Sequence, residues 1–177
     1  MKKIETVIEI TKGIPSYTAK NEPVKFHDYP EIGFSVFIIA ESIEEIFAEK
    51  VVAFGEREIG QSSPFKARDI WDIYLLSSLR IPVDYKMVLN KIKDYCSNFQ
   101  EFEETYIKRH ASLKEDFSIY AFRNEIFSFF ERDPVDFNDR RTVRSILDTV
   151  YEKMDDIFAH IPREVEKNMH RHIEEER

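Results

Sequence analysis

The hydrophobic pattern of this chain changes period once. Residues 3–11, KIETVIEIT, alternate: Ile4, Thr6, Ile8 and Ile10 face one way, and Glu5, Val7 and Glu9 the other. A two-residue period in β-branched residues predicts a strand. Gly13-Ile14-Pro15-Ser16 reads as the turn that ends it. Residues 17–31 are polar and hold Pro23 and Pro30, which suits a loop or a weak edge strand. Residues 33–39, GFSVFII, are almost continuously apolar, as in a strand buried on both faces or covered by helices.

From Ser42 onward the period is helical. Ser42 and Glu45 have capping-box spacing, and Ile43, Ile46, Phe47, Val51 and Phe54 form one apolar stripe. Gly55 and Gly60 bracket a break, after which Ser63-Pro64 restarts a helix with serine as N-cap and proline at the first turn. That second helix carries Ile70, Trp71, Ile73, Tyr74, Leu75 and Leu76. Asp84 caps a third, with Tyr85, Val88, Leu89, Ile92 and Tyr95 at helical spacing, and a more polar fourth spans Phe99 to Lys114. Phe117 to Phe130 is aromatic on nearly every turn, which predicts a buried helix closed by Asp133-Pro134. Arg141 to Ile161 is a long amphipathic helix that Pro162 interrupts, leaving a charged tail to Arg177.

The expected fold class is therefore α+β: a small remnant β-sheet near the N-terminus followed by a mostly helical bundle. The boundary falls between residues 1–80, with the strands and first two helices, and residues 81–177, a C-terminal helical domain with its charged tail. Two strands are too few to stand alone, so either the helices cover them or further strands come from elsewhere.

Composition narrows this picture without changing it. At 177 residues the chain can bury one real core, and its sparse glycine and heavy phenylalanine favour helices over a turn-rich sandwich. A formal charge of −8 argues against a generic nucleic-acid coat while leaving room for a local basic groove. Cys96 is the single cysteine, which excludes a disulfide frame or a cysteine-built zinc site and points to a reducing compartment. The start, MKKIETVIEI, is too short and polar an apolar run for a signal peptide. No segment approaches the roughly 18 apolar residues of a membrane span. A cytoplasmic location is expected.

Chemistry is carried by the charged residues set into the first two apolar helices: Lys50, then Lys66, Arg68, Asp69 and Asp72. Each has an ordinary reading. Lys50 can snorkel along Phe47 and Phe54 into water. Arg68 and Asp72, at i and i+4, can form a helix ion pair of roughly 0.3–0.5 kcal/mol. Asp69 is harder to dismiss, because it sits among Ile70, Trp71 and Ile73. His170 and His172 do not share a helix face and read as a solvated tail, while His27, His110 and His160 stand alone. The aromatic run 117–130 reads as core packing before base stacking. Arg140, Arg141 and Arg144 read as a balance for Asp133, Asp136 and Asp139, or as phosphate contacts.

Two stretches carry a resemblance: Glu44-Glu45-Ile46-Phe47-Ala48-Glu49-Lys50, and Lys66-Ala67-Arg68-Asp69-Ile70-Trp71-Asp72. Together, in this order, they resemble the AbiEii/AbiGii abortive-infection family of nucleotidyltransferase toxins, built on the polymerase-β-like nucleotidyltransferase fold. The resemblance makes residues 1–80 the nucleotidyltransferase-like portion. It implies that Lys50 contacts nucleotide phosphates, with Lys66 and Arg68 beside it, and that Asp69 or Asp72 is the essential acid, Asp69 ranking slightly higher. It further implies a metal-side role for Glu9. The implied reaction is Mg²⁺-dependent transfer of a nucleotide from an NTP to an acceptor such as a tRNA end, regulated by an antitoxin protein or a neighbouring kinase.

Such enzymes open with a Gly-Ser turn and an Asp-x-Asp strand, neither of which occurs in this sequence. The chain is therefore expected to correspond to the C-terminal portion of such an enzyme and to be inactive alone. Mg²⁺ then matters only if the missing motif is supplied, by a complementing N-terminal half, and a homodimer through the sheet edge is a further expectation. The alternative is a non-catalytic helical protein-interaction module derived from such an enzyme.

Overall fold

The computed structural model describes residues 17–18, 20–23, 37–56, 65–96, 99–130 and 135–175. The chain divides into two units, Met1–Glu41 and Ser42–Arg177. In the first, β1 (Lys20–Pro23) pairs antiparallel with β2 (Phe37–Ala40), Lys20 opposite Ala40 and Pro23 opposite Phe37. The predicted strand over 3–11, with Glu9, lies outside the described residues.

The second unit is built from α1 (Ile43–Glu56), α2 (Ala67–Ser78), α3 (Tyr85–Tyr95), α4 (Phe99–Ser112), α5 (Asp116–Ile126) and α6 (Arg140–Glu175). The expected α+β class does not hold: the described structure is helical, and a four-residue ladder is all the strand pairing within it. A ladder that short buries almost no face of its own. The helices instead supply a continuous core, including Phe47, Val51 and Phe54 of α1, Ile70 and Ile73 of α2, and Val88 and Ile92 of α3. Phe122 of α5 joins them, and α6 contributes Val143, Leu147, Val150, Met154 and Ile157. Removing this apolar area from water, at roughly 25 cal/mol per Å², is what makes the helical unit cohere.

Local signals explain where the helices begin and end. Glu45 N–H donates to the Ser42 hydroxyl at 3.2 Å, starting α1. Met87 N–H donates to Asp84 at 3.0 Å, starting α3. Arg109 of α4 is 2% exposed and donates through Nη1 to the Phe54 carbonyl at 2.7 Å, satisfying one acceptor in the last turn of α1. Gly55 lets α4 approach there, because a Cβ on it would overlap the Phe102 ring.

Three helix expectations need correction. The second helix does not start at Ser63-Pro64: α2 begins at Ala67, with Lys66 at the N-cap position and no side-chain cap. The 117–130 stretch is not buried throughout: Phe122 is fully buried, but Phe117 and Tyr120 are 52% and 69% exposed. The reason is that α5 packs chiefly on α2 and α6, so its outer face meets water. Pro162 does not end the last helix, since α6 continues to Glu175. A proline removes one ladder hydrogen bond, and the flanking turns carry the helix across it. No helix of the described residues is long and apolar enough to cross a membrane.

Asp139 starts α6, accepting from Thr142 N–H at 3.0 Å, from the Thr142 hydroxyl at 2.7 Å and from Arg141 N–H at 3.2 Å. The Thr142 hydroxyl, with those two backbone N–H groups, holds its carboxyl below the ordinary carboxylate value. A depressed folded-state pKa stabilises the fold above the unfolded value and loses that contribution as pH falls through the folded one. Asp139→Ala is therefore expected to lower the melting temperature at neutral pH, with the gap from wild type closing as pH falls below 3.8. Thermal melts across that range check it, and a pH-independent gap refutes the cap.

Candidate functional site

Helix geometry sorts the charges of α1 by face. Glu45 and Glu49 are four residues apart and share a side, while Lys50 is turned by roughly 100° from Glu49. The first side meets α3. Lys91 Nζ lies 2.6 Å from Glu45 Oε1 and 2.8 Å from Glu49 Oε1, and the Lys91 and Glu45 side chains are fully buried. The Tyr95 hydroxyl donates to the same Glu49 oxygen at 3.2 Å. Burial pulls the Lys91 pKa down, but the hydrogen bonds and charges of Glu45 and Glu49 outweigh it and leave the ammonium held above its ordinary value.

The other side meets α2. Lys50 Nζ lies 2.7 Å from Asp72 Oδ2, both side chains about a quarter exposed (24% and 26%). The structure thus brings together the two ends of the sequence motif. Asp72 pairs across the helices with Lys50 rather than along its own helix with Arg68, because α1 and α2 are packed neighbours. Asp69 is 4% exposed and faces inward in the first turn of α2. Lys66, at the N-cap position, and Arg68 are exposed. Arg68, Trp71 and Asp72 form one wall of a cleft of about 310 Å³, closed by Ile126, Phe129 and Phe130.

These carboxylates do not fit a Mg²⁺ shell. A magnesium ion asks for several unencumbered oxygen ligands in near-octahedral array. Glu45 and Glu49 already flank a buried ammonium, Asp72 holds Lys50, and Asp69 is sunk into the packed side of α2. Glu9, the remaining candidate, lies outside the described residues.

Other candidates resolve into packing. Burial, with Glu56 and Glu101 nearby, pushes the Cys96 thiol up to about 11, so it is no nucleophile at neutral pH. The His110 ring stacks between Tyr106 (5.5 Å) and Tyr151 (3.9 Å), joining α4 to α6. Arg140 pairs with Asp116 at 2.8 Å, and Arg144 donates to the Leu113 and Glu115 carbonyls at 2.8 and 3.1 Å. Their acid is thus Asp116, ahead of the nearby Asp136 and Asp139, because they tie α6 back to the start of α5.

The residue missed from sequence is Lys91. Its signal was available: it falls on the apolar stripe of α3, between Val88 and Ile92, where a lysine needs a partner. Lys91→Met strands two carboxylates and is expected to cost about 3–5 kcal/mol. Because the Lys91 pKa is raised, its contribution is full below the ordinary 10.5 and is lost only as pH rises beyond it. Urea unfolding of the two proteins should show a deficit that stays flat from neutral pH up to that value. A variant as stable as wild type refutes the buried triad.

The model of the nucleotidyl transferase AbiEii toxin family, of type IV toxin–antitoxin systems, matches residues 7–160. Comparison with curated proteins and with solved structures gives no match. The matched region takes in both helices that bear Lys50 and Asp72, together with the α3 lysine that fixes α1 from behind. The chain belongs to the AbiEii family of nucleotidyltransferase toxins.

Proposed function

We propose that the Lys50–Asp72 junction is the nucleotide-handling centre of this toxin, and that the whole enzyme moves a nucleotide from an NTP to an acceptor such as a tRNA end. The supporting observation is the 2.7 Å contact between the lysine of one motif helix and the acid of the other. A lysine is a compact point charge suited to phosphate. Its hold on a partly exposed carboxylate is weak, about 0.2–1 kcal/mol for such pairs, so a triphosphate with several charges outcompetes Asp72. The carboxylate thus released orients the acceptor hydroxyl and takes its proton as that oxygen attacks the α-phosphorus and pyrophosphate leaves.

Asp69 has a different part in this reading. An acid in the first turn of α2 is favoured by the helix dipole, and its burial makes it a positioning residue for Asp72. Lys66 and Arg68, on the outer side, add positive field for an anionic substrate. With Glu45, Glu49 and Asp72 already paired and Asp69 buried, residues 1–177 are proposed to hold nucleotide and acceptor without completing transfer by themselves. An antitoxin is the partner the family implies.

A second reading, a non-catalytic interaction module, has its own observation in the exposed Phe117 and Tyr120 of α5. Lys50→Ala in the intact enzyme separates the two. The expected outcome is a loss of transfer of about 10²-fold or more with less than about 1 kcal/mol lost in stability. Unchanged transfer of labelled nucleotide to the acceptor in that variant sinks the assignment and favours the module.

A further inference from the structure

We propose that the cleft between α2 and the turn following α5 is the seat of the nucleobase, with Trp71 and Phe129 as its stacking walls. This rests on the placement of the triphosphate at Lys50 argued above, and it adds a subsite with its own residues and its own readout. The cleft holds about 310 Å³, at the small end of the roughly 300–1,000 Å³ of ligand pockets. That volume takes a ring system and leaves the triphosphate outside. Its polarity runs in the order a nucleotide presents. Trp71, Ile126, Phe129 and Phe130 make the apolar end, Asp72 stands at the edge, and Lys50 follows 2.7 Å beyond Asp72.

Two further features suit a heteroaromatic ring. The Trp71 indole is fixed before any ligand arrives, its ring centroid 5.5 Å from Phe130 and 5.4 Å from Phe137 in edge-on contacts and 5.5 Å from Tyr74. A platform already ordered loses little entropy on stacking a base. Phe129, by contrast, is 48% exposed at the lip, a large aromatic in water that a second ring would cover. Arg68, on the rim, makes no ion pair among the described residues and is free to meet the phosphates that leave the cleft. The base thus lies against α2 and the α5 turn, with its phosphates directed toward α1.

Trp71 is the single tryptophan of the chain, so its emission reports this cleft alone. The experiment titrates the chain, its Phe129→Ala variant and its Lys50→Ala variant with each of the four NTPs and with inorganic tripolyphosphate. Binding is followed by Trp71 emission and, independently, by calorimetry. The expected result is saturable quenching by NTPs, about tenfold weaker NTP binding in Phe129→Ala, unchanged tripolyphosphate binding in that variant, and weakening of both ligands in Lys50→Ala. Phe129 is a surface residue, so its variant folds as the wild type does. If NTPs and tripolyphosphate bind equally well, depend on Lys50 and ignore Phe129, the base subsite is overturned while the triphosphate site stands. If binding ignores Lys50 as well, or no ligand binds, both are overturned. If Phe129→Ala changes only the mass of the chain in solution, the cleft is an interface between copies, and the subsite is again overturned.

Discussion

A lysine sealed between two glutamates holds this structure in register. The Lys91 ammonium, on α3, is excluded from water and meets Glu45 and Glu49 of α1 at 2.6 and 2.8 Å. Burying charge costs several kcal/mol per ion unless geometry and hydrogen bonding offset it. Here two carboxylates and a tyrosine hydroxyl do so. Close packing already resists sliding, and a buried ammonium with two acceptors adds a directional constraint to it. The triad therefore fixes the rotation of α1 about its axis.

That rotation decides what the motif helix shows to solvent. With Glu45 and Glu49 turned toward α3, Lys50 must turn toward α2, where it meets Asp72. Within six consecutive residues the chain thus separates a structural use of charge from a surface use. The two glutamates are bound into the fold, and the lysine beside them is left on a partly exposed ledge. The same packing places Trp71 and Arg68 on the wall of an aromatic-lined cleft that ends at Asp72. Site and scaffold are joined by one helix, so damage to the buried triad reaches the site through the rotation of α1.

Two arginines tie helix ends and links to other helices. Arg109 reaches a terminal carbonyl of α1 from inside the core, and Arg144 reaches the Leu113 and Glu115 carbonyls from α6. Arg109 satisfies a carbonyl that the end of α1 leaves open, Arg144 binds the carbonyls of the link between α4 and α5, and each joins segments distant in sequence.

The sequence by itself determined the helices, because a 3.6-residue apolar period and the caps at Ser42 and Asp84 are local properties that any packing must respect. It also determined the family, since the two motif stretches are read directly from residue order. It misled on fold class: among the described residues the expected sheet is one four-residue ladder, and the area available for burial lies in the helices. The tertiary structure alone decided which charges face which helix. Glu45, Glu49 and Lys50 look alike in one dimension, and Lys91 looks like any surface lysine. Their roles separate only when α3 and α2 come to lie on different sides of α1, and side-chain pairing across 42 residues is a consequence of packing that no local pattern encodes.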